Sequence, residues 1–322
     1  MMKNIGIIIE LENGRIKEAN FGMITLVRPK DIEVEDIQLF AFVMGADAEI
    51  LKKDLESFGI SKIIDISFTK GQQDNPVVSA KALINVIKEY NIQMVFGLST
   101  ATGKDLLPRI AAMLDAPLVM DCLGVDLEQN LARTSQYSGK TIATIKMTGD
   151  VLVFGVRPNA IKSKKVQASA EILRFDGSHL VSKSLKVIKT DAADKASFIN
   201  LVEAEVIIAG GRGMKNGENF TFLSLCAEKL NAAVGASRVA VDSGWVPYAM
   251  QVGQTGEKVS PRLYIACGIS GSVQHYAGMK TSGMVIAINT DETASIMSNC
   301  DYYVKADALK IIPELTKQLE ND

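Results

Sequence analysis

Twelve of the 25 glycines in this chain fall between Gly210 and Gly283, in turns between apolar runs, together with Ser, Thr, Gln and Arg residues and one of the two histidines. Glycine at that density lets backbone amides approach a ligand and adopt positive φ, as cradling a phosphate or a planar ring requires. Residues 210–289 therefore read as a nucleotide-cofactor site.

Four short sequences carry that reading. Gly210, Gly211, Arg212 and Gly213 follow the apolar run at 206–209. They lack the G-x-G-x-x-G spacing of a dinucleotide fingerprint, yet amides beside a forked guanidinium suit a pyrophosphate. A tight turn with a surface arginine fits the same residues. Gly235, Ala236, Ser237 and Arg238 come next, followed by Asp242. Here the small residues leave room, Ser237 can donate to a phosphate, and a fixed cation at Arg238 would steady negative charge on a ring that gains electrons. A helix start capped by Ser237, with an Arg238–Asp242 pair, is the plainer alternative.

The third sequence is Val252, Gly253, Gln254, Thr255 and Gly256, and the fourth is Ser270, Gly271, Ser272, Val273, Gln274 and His275. In the fourth, Gly271 would let amides at a helix start face a ligand, with His275 about one turn further along. A lone helical histidine is usually structural, but three neighbouring ligand-like loops favour a functional one.

Two other motifs fail on inspection. Residues 97–104 read Gly-Leu-Ser-Thr-Ala-Thr-Gly-Lys, with a spacing that differs from a P-loop and Asp105 where Ser or Thr is needed. Gly268, Ile269, Ser270, Gly271 and Ser272 approximate a nucleophile elbow, but Ser272 replaces its last glycine and the adjacent Gln-His is too near to be a distant base.

The elements that must position these loops follow from hydrophobic patterning. With 322 residues and 47% hydrophobic content, two cores are expected. Apolar runs at 5–9, 39–44, 63–66 and 94–96 alternate with helical patterns, one through Leu51, Leu55 and Phe58 ending at Gly59, another opened by Asn75 and Pro76. Runs at 141–147, 151–156 and 166–173 have no long helices between them and predict an antiparallel extension of the first domain. The polar stretch 183–200 predicts a connection, with the boundary near Ala204. Strands at 206–209, 263–267 and 284–288, with helices at 219–230 and 308–319, then restore βα alternation. The Gly-rich loops all follow strand ends, where open parallel sheets bind ligands. The expected domains are 1–190 and 204–322.

A formal charge of −2 gives no global reason to bind nucleic acid, and the basic run Lys162, Ser163, Lys164, Lys165 reads as a solvated connection. Cys122, Cys226, Cys267 and Cys300 have no metal-site spacing; buried thiols are expected at Cys226 and Cys267. No stretch reads as a signal peptide or reaches the roughly 18 apolar residues of a membrane span, so a bacterial cytoplasmic protein is expected.

Taken in order, these elements resemble the alpha subunit of electron transfer flavoprotein. The likeness rests on Gly-Gly-Arg-Gly at 210–213, Gly-Glu-Asn-Phe at 217–220, Ala-Ala-Val-Gly-Ala-Ser-Arg at 232–238 and Val-Asp-Ser-Gly-Trp-Val-Pro at 241–247. It continues through Gln-Val-Gly-Gln-Thr-Gly at 251–256, Leu-Tyr-Ile-Ala-Cys-Gly-Ile-Ser-Gly at 263–271, Gln-His at 274–275 and Ala-Ile-Asn at 287–289. Looser likeness appears at 99–109 and 156–160.

The resemblance implies a two-domain α/β protein, with an N-terminal nucleotide-hydrolase-like α/β domain and a C-terminal Rossmann-like parallel-sheet domain that binds FAD. It implies a heterodimer with a beta subunit, contacted by the N-terminal domain. Such proteins carry electrons from acyl-CoA dehydrogenases or similar flavin dehydrogenases, as in fatty acid beta-oxidation, and are not enzymes. Carried onto this sequence, it assigns Arg212 and Ser237 to the phosphate side and Arg238 to the flavin ring. Thr255, with Val252, Gly253 and Gln254, falls near the ring's N5 edge. Ser270, Gly271, Ser272, Val273 and Gln274 wrap the pyrophosphate and ribityl chain, and His275 meets the C2 carbonyl. Asn289, Asp307 and Ala308 hold the adenosine end. Residues 291–297 lack the family's usual proline, and Ala308 stands where Leu is common. Two alternatives remain open: within the resembled family, a bifurcating version oxidising NADH through a second FAD in the beta subunit, and from another class, an NAD-dependent enzyme using His275 as acid–base group.

Overall fold

Both faces of the early strands are apolar, so each strand needs helices on either side. The computed structural model describes residues 3–28, 37–137, 141–182, 184–189 and 200–320. The chain divides into two compact units, Met1–Ser135 with Ile142–Ala192, and Gln136–Thr141 with Ala193–Asp322.

The first unit opens with β1 (Lys3–Ile8), the small hairpin β2 (Leu11–Glu12) and β3 (Arg15–Ile16), and α1 (Ala19–Val27). Then β4 (Ile37–Met44), α2 (Ala48–Glu56), β5 (Lys62–Ser67), α3 (Pro76–Glu89), β6 (Met94–Leu98) and α4 (Ala101–Leu114) alternate. Finally come β7 (Leu118–Asp126), β8 (Leu131–Gln136), β9 (Thr141–Lys146), β10 (Leu152–Val156) and β11 (Glu171–Asp176). One sheet takes the order β11-β5-β4-β1-β6-β10-β7-β8-β9. Alternation along β4 builds its two cores: Leu39, Ala41 and Val43 pack with Met23 of α1 and Leu51 of α2, whereas Phe40 and Phe42 pack with Leu83 of α3 and Leu107 of α4. Asn75 caps α3 by accepting from Val77 N and Val78 N, with Pro76 in the first turn, as predicted.

Of the expected antiparallel extension, β7 and β8 pair antiparallel and the 141–147 run forms β9 beside β8. β10 instead runs parallel between β6 and β7, because all five of its residues are buried and only an interior position covers both faces. β11 pairs in parallel with β5 at the far edge. The run at 166–173 is a strand only from Glu171; before it, Val166 N and Ala168 N bond to Ser57 O and Glu56 O near the end of α2. Phe58 lies beyond α2. The failed P-loop opens α4, where Thr100 caps Gly103 N with its hydroxyl. Most of the polar stretch 183–200 lies outside the described residues.

The second unit contains β12 (Val206–Gly210), α5 (Phe220–Leu230), β13 (Ala233–Ala236), the short α6 (Arg238–Asp242), β14 (Leu263–Cys267), α7 (Val273–Met279), β15 (Met284–Asn289), β16 (Tyr302–Lys305) and α8 (Ala308–Leu319). Its sheet order is β13-β12-β14-β15-β16, parallel throughout. From β12 the chain passes to one side, to β13, and then back to β14 on the other. The carboxyl ends of β12 and β14 therefore flank a topological switch point, the place where such sheets hold ligands. Cys226 and Cys267 are buried, as expected.

Candidate functional site

Three of the four Gly-rich loops leave the carboxyl ends of strands, whereas 252–256 follows a short 3-10 turn at Tyr248–Met250 instead of the expected strand end; all four are stitched to one another through backbone. Ser237 N bonds Gly210 O at 2.9 Å, Val252 N bonds Ala236 O at 2.9 Å, Gln254 N bonds Gln274 O at 2.8 Å, and Gly213 N bonds Gly268 O at 2.9 Å. Each loop is thus tied to two others in a closed ring. A cleft of about 740 Å³ opens over this ring, with Arg212, Ser237, Arg238, Thr255, Ser270 and His275 among its lining.

Of the sixteen expected site residues, twelve line the cleft: besides those six, they are Val252, Gly253, Gln254, Ser272, Gln274 and Asn289. Gly271 and Val273 do not; Val273 is exposed. Asp307 and Ala308 also lie outside the lining. Asp307 caps α8 by accepting from Leu309 N and pairs with Lys215 Nζ at 3.0 Å, while Ala308 is buried in the core under α8. The Lys215 and backbone contacts hold the Asp307 carboxyl below the usual carboxylate range.

Individual side chains differ in how committed they are. Arg212 is exposed and makes no ion pair among the described residues. Arg238 pairs with Asp242 at 3.2 Å, both largely exposed, so the plainer alternative for this segment is present in the cleft wall. Ser237, however, makes no side-chain cap, and its Oγ is buried without a partner. Asn289 donates to Ile269 O at 2.9 Å and accepts from Asp291 N at 3.1 Å, which fixes the β14 and β15 loops. The 291–297 loop lacks proline but is closed by Asp291, which accepts from Thr293, and by Ile296 N bonding Ser270 O at 3.1 Å.

His275 is buried on α7. Its Nε2 lies 3.0 Å from Tyr264 Oη and its Nδ1 has no hydrogen-bond partner. Burial pulls its pKa down to about 4, and the Val252 backbone opposes this weakly without reaching hydrogen-bond geometry. The imidazole is neutral at pH 7.

Two residues absent from the expected list support those that are on it. Gln251 Nε2 donates to Thr255 Oγ1 at 3.0 Å, leaving the threonine hydroxyl hydrogen free to donate elsewhere. Tyr264 holds His275. In the sequence both lie within stretches that carry the family resemblance, 251–256 and 263–271, and burial of their polar groups emerges only in the structure.

Buried polar atoms left unpaired are rare in folded chains, and two of them, Ser237 Oγ and His275 Nδ1, belong to residues lining one cleft that also carries two guanidiniums. That donor set fits a phosphate-bearing cofactor with a hydrogen-bonding ring.

Comparison with known proteins agrees with this geometry. A profile described as "Electron transfer flavoprotein FAD-binding domain" matches residues 200–280, and one described as "Electron transfer flavoprotein domain" matches residues 5–179. The chain belongs to the electron transfer flavoprotein alpha-subunit family. It is 35% identical to an electron transfer flavoprotein subunit alpha of Thermoanaerobacterium thermosaccharolyticum, over 99% of this chain and 98% of that one. It is 34% identical to the subunit of the same name from Bacillus subtilis, over 99% and 98% of the two chains. A protein named FixB from Clostridium saccharobutylicum is 33% identical over 98% and 96%.

As an electron transfer flavoprotein alpha-family chain it is an FAD-binding electron-transfer protein and not an enzyme, which removes the NAD-dependent alternative. A histidine with a pKa of about 4 is also a poor acid–base group at neutral pH. No helix among the described residues is long and apolar enough to cross a membrane.

Proposed function

We propose that this chain is the FAD-carrying subunit of a heterodimer with an electron transfer flavoprotein beta subunit, working in the bacterial cytoplasm. It relays electrons from flavin dehydrogenases of the acyl-CoA dehydrogenase type, as in fatty acid beta-oxidation, to a downstream acceptor. The observation that carries this reading is the pair of buried unpartnered atoms, Ser237 Oγ and His275 Nδ1, in a cleft with two arginines. When bound, the flavin supplies reversible acceptance of one or two electrons. Arg212 and Ser237 hold its phosphates. Arg238 provides a cation near the ring, and Thr255 and His275 provide neutral donors to it. The 252–255 and 270–274 loops enclose the chain between ring and phosphates, and the buried Val252 and Ile269 exclude water. Asn289, with Asp307 and Ala308 beyond the cleft, serves the adenosine end.

The test is cofactor content and reduction of the chain co-produced with the beta subunit. One FAD with AMP per heterodimer, bleached by an acyl-CoA dehydrogenase and its substrate, is expected. Two FAD reduced by NADH would favour the bifurcating alternative, and a colourless complex would refute both.

A further inference from the structure

His275 depends on a residue that the cleft lining does not include. Tyr264 sits on β14, fully buried beside Ile207, Ala209, Ala266 and Met279. It is the largest wholly buried side chain among the described residues, and its hydroxyl is directed at His275 Nε2, 3.0 Å away, with the rings edge to face at 6.1 Å.

Two proton arrangements fit this contact, and counting unpaired atoms separates them. If Oη–H donates to Nε2, hydroxyl and Nε2 are both satisfied, and Nδ1 carries the ring proton as the one unpaired donor. If Nε2–H donates to Oη, the phenol hydrogen has no acceptor among the described residues, and Nδ1 presents an unpaired lone pair. Two buried polar sites are then unsatisfied instead of one, and burying an unsatisfied polar group is costly. A phenol is also the better donor of the two partners.

We propose that Tyr264 is a positioning residue that locks His275 in the Nδ1–H tautomer, making this nitrogen a fixed neutral donor to a carbonyl oxygen of the bound cofactor. The donor half rests on the placement of the flavin at His275 given above; the tautomer half rests on the contact with Tyr264 alone. Because burial keeps the ring neutral, one tautomer or the other is present at neutral pH, and Tyr264 makes the one hydrogen bond to a ring nitrogen among the described residues, the Val252 backbone lying nearby but outside hydrogen-bond geometry.

The chain has only two histidines, His179 and His275, so ring-nitrogen NMR of the full chain labelled with 15N-histidine resolves the question. In the flavin-free protein, His275 should show a protonated Nδ1 and an unprotonated Nε2, and adding FAD should move the Nδ1 resonance. Tyr264→Phe keeps the ring volume. It should give a mixture of tautomers and weaken FAD binding roughly 3- to 10-fold, the span of one lost hydrogen bond. A protonated Nε2 in the unaltered chain would overturn the proposal, whether or not the variant folds. Unchanged tautomer and FAD affinity in Tyr264→Phe would also overturn it, reducing Tyr264 to a core filler. If Nδ1 is protonated but its resonance ignores FAD, the lock stands and the placement of the flavin at His275 falls.

Discussion

His275 is neutral because the fold denies its cation water, and that has a measurable cost in acid. Its ordinary pKa is 6.5 and its folded value about 4, so between these limits the unfolded chain binds more protons than the folded one. Stability therefore rises with pH through this window and is lost on acidification. The loss between pH 7 and pH 5 is about 2 kcal/mol from this one group. Urea unfolding of flavin-free chain should show that slope, and His275→Gln should lack it; parallel pH profiles would mean the ring is not buried as described. Arg238 poses the opposite problem, a cation in a wall where Asp242 competes for it. Because both side chains are largely exposed, Arg238→Ala should lower the flavin reduction potential only modestly, by about 1 kcal/mol per electron. Asp242→Asn should raise it, since the guanidinium is then free to face the ring. Potentiometric titration decides, and shifts of the same sign in both variants would remove Arg238 from the site.

At the scale of elements, the glycines have a second use beyond admitting a ligand. A Cβ on Gly268 would sit 2.6 Å from Gly213 Cα, and one on Gly278 would sit 2.5 Å from Gly253 Cα, so the loops touch backbone to backbone. Gly268 also has φ +59°. Gly268→Ala should cost the second unit about 3 kcal/mol, combining left-handed strain with separation of two loops, and should release FAD. Gly244→Ala is the control: its φ is +72° with open space around the Cβ, so only the backbone term of about 1 kcal/mol remains. Equal melting shifts in the two variants would mean that loop contact adds nothing. The density of glycine was legible in the sequence, but which loop each glycine abuts was not, because the partners lie far apart in the chain, 55 residues for Gly213 and Gly268. Legibility of the strands followed the same rule. β12, β14 and β15 are buried apolar runs and read directly. β13 is the four-residue Ala-Val-Gly-Ala with little strand character, and all of β16 is exposed at the sheet edge, so neither gives alternation to find. The interior place of β10 depends on pairing with β6, some 58 residues earlier, a long-range choice that local pattern leaves undecided.

Over the whole molecule, both units have a switch point between parallel strands, yet they treat it differently. In the first unit the switch lies between β1 and β6, where a cleft of about 560 Å³ is lined by Glu10, Asp74, Asp105 and the start of α4. There the Thr100 hydroxyl caps Gly103 N and also donates to the buried carboxylate of Glu10, which pairs with Lys17 at 3.1 Å. The Gly103 amide at the helix start is thus already taken by a side chain, and the carboxylates repel a phosphate. In the second unit the cleft at the switch between β12 and β14 balances Arg212 and Arg238 against Asp242 and Asp291, and adds two unpaired buried polar atoms. Charge and unmet hydrogen bonding, more than sheet topology, direct an anionic cofactor to the second unit. Hydrogen exchange of the full chain with and without FAD tests this directly. Added FAD should slow exchange in peptides spanning 210–214, 235–239, 251–256 and 268–276. Peptides spanning 8–17 and 97–107 should be unchanged. Protection at 97–107 of similar size would mean that the first unit's cleft takes the cofactor despite its carboxylates, and the electrostatic account of where FAD binds would be wrong.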